Sequence, residues 1–430
     1  MKPLCNGLVG GTVVTCDDHD QVFADGLVAW EDDRITYVGP RATYALTGTE
    51  DWLNVGGHFV LPGIVNLHTH TPMTALRGLA DDLPAQAWLP RAAQLESTLA
   101  AEDRYWSSLC GAWELLRRGV TCIADRGSGM VTSSQALWDS GIRAAVAQTV
   151  TDRGGEADWQ ESDAVVAQWG VNSSRRLFAG LGPHATDTCG DALLVKVRER
   201  MEHLGALTFI HVAQSRDEVC AARRRGDAGC VYLLYRLGLL GVRTIAAHCL
   251  YLQPGEIELL SATRTPVAHC PVSNAKVEGS AALAWELWQA GVPLGLGTDC
   301  AACNNSMDPW FELKFAALLH KISAKNPEAL PARTALRWVT RAAATCLSMT
   351  DEIGVLRVGA RADIITLRTD VPNAVPPPNP WSHFVYSASG GDVDTVVVDG
   401  RLLVQSGAVL HIDSDRIGYE VNRIRGKLVG

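Results

Sequence analysis

The 430-residue chain has no apolar run long enough to span a bilayer, so no part of it is expected to cross a membrane. A glycine-rich phosphate loop and a dinucleotide fingerprint are both missing, and no organic cofactor is indicated. There is no acidic run either. The net charge of −9 is spread over a sequence that is 20% charged, which argues against a nucleic-acid polymer as partner and suits a small neutral or weakly basic molecule. The 12 cysteines lack a secreted-domain spacing, and no charged-then-apolar leader precedes Asp17-Asp18, so a reduced, cytoplasmic protein is expected. What is there is a 47% hydrophobic chain, large enough for one big domain and a smaller one.

Short alternating or β-branched stretches at Leu8 to Thr15, Gly26 to Glu31 and Arg34 to Val38 predict a small sheet near the N-terminus. Ala362 to Leu367 and Asp394 to Val404 read the same way, so residues 1–56 and 351–430 are expected to build one composite β-sandwich domain. Between them, strand-like runs at 58–67, 119–125, 142–149, 177–182, 207–212, 243–248, 265–270 and 293–298 alternate with helical stretches. That alternation predicts an α/β fold with parallel βα units, and eight runs predict a closed (β/α)₈ barrel over 57–350. Chemistry in such a barrel sits at the carboxyl ends of the strands. Those ends carry His68 and His70, Asp125, Asp152, His184, His211, His248, His269 and Asp299, in a chain with only 12 histidines.

His68 and His70 stand one residue apart at the end of a strand, so they share a face and can grip one ion. Imidazole suits zinc and similar cations, and further ligands must come from other strands.

Pro62-Gly63-Ile64-Val65-Asn66-Leu67-His68-Thr69-His70 resembles the opening motif of the amidohydrolase superfamily, and the chain is similar to its deaminase branch, which includes adenosylhomocysteine, methylthioadenosine and guanine deaminases and triazine hydrolases. The likeness continues through Gly182-Pro183-His184, Ile210-His211-Val212-Ala213, Ala247-His248-Cys249, Pro271-Val272-Ser273-Asn274-Ala275-Lys276 and Gly297-Thr298-Asp299. It implies that His68, His70, His211 and Asp299 hold one divalent metal, zinc by default with Fe²⁺ as the alternative. It implies too that Asp299 is the general base, that His248 acts on the electrophile or the attacking water, and that His184 faces the substrate. Two-metal members bridge their ions with a lysine after strand four; here that strand ends Gly180-Leu181-Gly182-Pro183-His184, so a single ion is expected. The implied activity is hydrolytic deamination of an aminated purine, pyrimidine, pterin or triazine, in a homo-oligomer.

The chain departs from the pattern in two places. His211-Val212-Ala213-Gln214 carries glutamine where the deaminases have a proton-shuttling glutamate. Gln214 is then an altered catalytic residue that leaves the enzyme impaired, or it is native to a reaction expelling an alkylamine or halide, or another group such as His248 takes the role. Cys300 and Cys303 stand where glycine and serine are usual, and are read as small buried residues of the pocket. Trp88 and Glu96, in the connection after strand one, are placed to fold over that pocket, with Trp88 able to stack on a ring. Arg153 reads as a surface residue, and Asp308 as the N-cap of a helix from Pro309.

Overall fold

The computed structural model describes residues 6–45 and 51–429; residues 1–5 and 46–50 of the first terminal segment, and Gly430, lie outside the described residues. The N-terminal strands are β1 (Gly7–Val14), β2 (Val22–Glu31), β3 (Arg34–Pro40), β4 (Trp52–Asn54) and β5 (His58–Pro62). The central strands follow as β6 (Ile64–Thr69), β7 (Val120–Gly127), β8 (Arg143–Val150), β9 (Leu177–Ala179), β10 (Gly182–Pro183), β11 (Thr208–Val212), β12 (Thr244–His248), β13 (Val267–His269) and β14 (Leu294–Leu296). The chain closes with β15 (Ile364–Arg368), β16 (Val393–Val398), β17 (Arg401–Gln405) and β18 (Ala408–Val409).

Both termini enter one nine-stranded sheet, ordered β18-β17-β16-β15-β5-β1-β2-β3 with β4 beside β1. Hydrogen bonding joins these strands into a single sheet rather than two. The sheet curls, because the β2–β3 turn reaches the β16–β17 turn: Trp30 Nε1 donates to the Gly400 carbonyl at 3.1 Å, and the Ala362 amide donates to the Asp33 carbonyl at 2.9 Å. Asp399 and Gly400 both have positive φ, 53° and 73°, as the two-residue turn of a type I′ hairpin requires.

The run read from sequence as one strand over 58–67 is two. Up to Pro62 it pairs antiparallel with β15 in the terminal sheet; from Ile64 it pairs parallel with β7. The break falls at Gly63, where a Cβ would collide with Thr121 Oγ1, so only glycine lets the chain pass from one sheet to the other.

The central strands form two parallel sheets, β6 through β10 and β11 through β14. Single bridges Leu181↔Thr208 and Ala185↔His211 join one flank of the first to the second, and Thr69↔Asp299 joins the other. Side chains alternate between two buried faces. Val65, Leu67, Cys122, Ala124, Ala145, Ala147, Phe178, Phe209, Ile245 and Ala247 share one inner cluster. Ile123, Val146, Ile210 and Ala246, one residue along, pack outward among helices. Burial on both faces is what helix-covered parallel strands require. The helix Pro309–Ser323 starts as the sequence predicts, with Asp308 Oδ1 accepting from the Trp310 amide at 3.0 Å.

Terminal and central parts are tied by a buried ion pair. Arg143 of β8 donates to Asp363 at 2.9 and 3.0 Å and to Asp399 at 2.6 Å. The last helix, Ser414–Val429, buries Ile417 and Ile424, while its Arg423 donates to Asp103 of the helix Ala101–Arg117 at 2.9 Å. An isolated 351–430 fragment, which holds only strands β15 to β18, should therefore stay unfolded. A dispersed amide proton spectrum from it would contradict that expectation.

Candidate metal centre and active site

Strand alternation decides which strand-end groups meet. Leu207 and Phe209 face inward on and beside β11, so His211 does too; Phe178 faces inward, and so, after Gly180 and Gly182, does His184. His248 would face outward by the same count, since Ile245 and Ala247 face inward. It turns in because its backbone has φ 73°, with Cys249 following at 46°. Asp299, past the end of β14, has φ 58°. Backbone held in this region costs about 1–3 kcal/mol per residue and gathers at functional sites.

The four expected ligands converge. Nε2 of His211 lies 3.2 Å from Nε2 of His68 and 3.3 Å from Nε2 of His70. Oδ1 of Asp299 is 3.3 Å from His70 Nε2 and 3.7 Å from His68 Nε2. Donors each about 2.0–2.1 Å from a tetrahedral ion stand roughly 3.3 Å apart, so this set fits one divalent cation. Burial, with help from neighbouring imidazoles, holds His68 and His211 well below the ordinary histidine pKa, which keeps their rings neutral and their lone pairs available. Burial alone would raise Asp299, yet the hydrogen bond to His70 and the imidazoles of His248, His70 and His68 hold it well below the usual carboxylate range. Ser273 Oγ donates to Asp299 Oδ2 at 2.6 Å and the Cys300 amide to Oδ1 at 2.8 Å, which fixes the carboxylate.

Around this cluster a cavity is lined by Trp88, Glu96, Arg126, Thr149, His184, Gln214 and His248. His248 Nδ1 lies 2.9 Å from Asn274 Oδ1, and its Nε2 is 3.9 Å from Asp299 Oδ2. Burial pushes His184 down to about 3, and its Nδ1 meets Thr188 Oγ1 at 2.8 Å. Gln214 reaches the cavity while its amide donates to Glu218 Oε2 at 2.8 Å. The indole nitrogen of Trp88 is buried and has no hydrogen-bond partner.

Other candidates from the sequence lie elsewhere. Asp125 faces away and receives the Thr71 amide at 2.9 Å and its hydroxyl at 2.5 Å, which anchors the turn after β6. His269 follows inward-facing Ala268, so it points outward and meets His320 Nε2 at 3.1 Å. Asp152 is exposed and accepts from the Gly190 amide at 2.7 Å, and Arg153 is exposed beside it. Cys300 and Cys303 are buried with sulfurs 3.0 Å apart, and Cys303 Sγ lies 3.3 Å from Ser273 Oγ. Together with Asp299 they form a further group of potential ligands, beside His68, His70 and His211 and beside His68, His248 and Asp299.

Arg126 is the residue that sequence reading missed. Cys122, Ala124 and Arg126 alternate onto the inner face of β7, a signal obscured by Asp125, the more conspicuous catalytic type. Its guanidinium is buried, and Nη2 lies 2.6 Å from His211 Nε2 and 3.0 Å from Nδ1. Burial brings its pKa down to about 10, so it remains a cation at neutral pH.

The amidohydrolase family pattern matches residues 59–403. A 5-methylthioadenosine/S-adenosylhomocysteine deaminase of Pelotomaculum thermopropionicum is 37% identical over 98% of both chains. A 5'-deoxyadenosine deaminase of Methanosarcina mazei is 36% identical, over 97% of this chain and 96% of its own. An adenosine deaminase from Xanthomonas campestris, solved with bound zinc, superposes with a TM-score of 0.95 at 28% identity, covering 99% of this chain and 98% of that one.

Protein purified without chelator should contain close to one transition-metal equivalent per chain. His68→Ala or Asp299→Ala should lower occupancy at least tenfold, within the roughly 10–100-fold range of supporting-residue losses, since each removes a donor from the cluster. Elemental analysis showing two equivalents, or unchanged occupancy in the variants, would overturn the ligand assignment.

Proposed function

This chain belongs to the amidohydrolase family, and we propose that it is a metal-dependent deaminase that adds water to the amine-bearing carbon of a nitrogen heterocycle and releases ammonia. The observation that carries the reading is the convergence of His68, His70, His211 and Asp299 within about one coordination sphere. Those four side chains would hold a single ion, zinc by default and Fe²⁺ as the alternative, and the zinc of the Xanthomonas relative supports that choice. When bound, the ion supplies the Lewis acidity that makes water a nucleophile at neutral pH.

The chain's own residues then move protons. Asp299, anionic and fixed by Ser273 and the Cys300 amide, accepts the proton of the attacking water at a carboxylate oxygen. Asn274 Oδ1 against His248 Nδ1 favours the tautomer protonated there, which leaves Nε2 facing Asp299 with a free lone pair. His248 can therefore take up a proton and return it to the departing amine. His184 and Trp88 bound the ring, and Gln214 offers it a hydrogen bond without a proton to exchange. The names of the relatives make adenosine-type compounds the first substrates to test, ahead of pyrimidines, pterins and triazines.

Gln214 favours a second reading, in which the same site expels a halide or alkylamine without protonation through this position. The three bridges between the parallel sheets support closure into one (β/α)₈ barrel over 57–350, and the contact between the β2–β3 and β16–β17 turns supports a small sandwich built from 1–56 and 351–430, with β5 as the seam. No described helix is long and apolar enough to cross a membrane. A reduced, cytoplasmic setting is supported by the free state of the described cysteines, and a homo-oligomer rests on family resemblance.

Ammonia release screened over aminated purines, pyrimidines, pterins and triazines should identify a substrate. On that substrate Gln214→Glu should raise kcat by about 10²–10⁴-fold, the usual contribution of a positioned acid-base group, with metal content little changed. A variant no faster than its parent would mean that glutamine is native to the chemistry.

A further inference from the structure

Arg126 stands on the inner face of β7 with 1% of its surface exposed, and among the described residues no carboxylate lies within ion-pair distance of it. Its Nη1 leans on the carbonyls of Pro183 and His184, both at 3.3 Å. Its Nε is buried without an acceptor. The remaining contact is Nη2 against the ring of His211, 2.6 Å from Nε2 and 3.0 Å from Nδ1, and an atom that near both ring nitrogens lies over the ring rather than along either in-plane lone pair. The Nε–Nη2 edge of the guanidinium, the edge suited to bidentate contact with oxygen, therefore has no oxygen acceptor among the described residues, on a side chain that lines the cavity.

A buried cation of this kind is costly unless something compensates it. The fold nevertheless makes room for it: a Cβ at Gly182 would lie 3.1 Å from Arg126 Cδ and 2.5 Å from the Gln148 carbonyl oxygen, so the arginine stem passes over a position that only glycine can fill. The edge is also close to where reaction is placed, because its Nη2 contacts a proposed ligand nitrogen directly.

We propose that Arg126 is a specificity-determining residue that binds an exocyclic ring oxygen of the substrate, so that the preferred heterocycle carries an oxo group beside its amine. This rests on the deaminase reading above and, within its substrate class, favours rings that carry an oxo group over adenosine-type rings that carry none. An aminated ring without such an oxygen leaves the guanidinium edge unsatisfied and forfeits a charge-assisted hydrogen bond.

The test is calorimetric titration of zinc-loaded protein with two matched pairs, adenine against 2-oxoadenine and 4-aminopyrimidine against cytosine, each differing by one exocyclic oxo group. The oxygenated member should bind roughly 10–100-fold tighter, the span of a hydrogen bond to a charged group. Arg126→Met should abolish that preference while elemental analysis shows its zinc retained, and Arg126→Lys, which keeps the charge and loses the fork, should retain only part of it. Should the methionine variant fail to fold, the parent preference and the lysine variant decide. Equal affinity within both pairs in the parent, failure of both oxygenated compounds to bind, or a preference that survives in Arg126→Met would overturn the proposal. Ammonia release from the same four compounds separates the two claims. Preference without ammonia sinks the deaminase reading and leaves Arg126 standing, whereas ammonia without preference does the reverse.

Discussion

The structure depends on one junction, where the end of β14 meets β6. Thr298 and Asn66 bond to each other twice, the Thr298 amide to Asn66 Oδ1 at 3.1 Å and Asn66 Nδ2 to Thr298 Oγ1 at 2.8 Å. One residue further on, the Asp299 amide donates to the His68 carbonyl at 2.9 Å, and Thr69 Oγ1 returns a hydrogen bond to the Asp299 carbonyl at 3.0 Å. These contacts join the last central strand to the first and, in the same stroke, bring the Asp299 carboxylate against His68 and His70. The joining of these two strands and the convergence of the candidate ligands are thus one event. Asp299 must hold an unfavourable φ for it, and the surrounding hydrogen bonds offset that strain.

Electrostatics around the junction is arranged by burial. His68 and His211, taken out of water, stay neutral and keep lone pairs, while the carboxylate of Asp299 stays charged, fixed by the hydrogen bond from the Ser273 hydroxyl. Arg126 is the exception, a cation in the same wall. Its presence makes the cavity more electropositive than the proposed ligand set alone would suggest, and that excess positive charge is the physical basis for expecting an electron-rich substrate atom there.

The His-x-His at 68 and 70 was legible in sequence because one strand presents both, and His211 and Asp299 because the family resemblance placed them on other strands. The β-branched terminal stretches were legible as strands for the same local reason. Their joining into a single curled sheet was not, since register between distant segments depends on contacts such as Trp30 to Gly400. The break falls at Pro62-Gly63, a pair that marks turns, but the collision that demands glycine there is with Thr121, far along the chain. Strand-end residues could be named but not aimed. Alternation sends Asp125 and His269 outward and Arg126 inward, and only the backbone turn at His248 reverses its direction.

The central claim is that three imidazoles and one carboxylate, and neither of the adjacent cysteines, hold the ion. Asp299 belongs to both candidate groups, so metal content alone does not tell them apart. The most direct measurement is zinc K-edge X-ray absorption on the purified protein. The account predicts a first shell of nitrogen and oxygen at about 2.0–2.2 Å with no sulfur in it; a zinc–sulfur distance near roughly 2.3 Å would place the ion on Cys300 and Cys303 and contradict it.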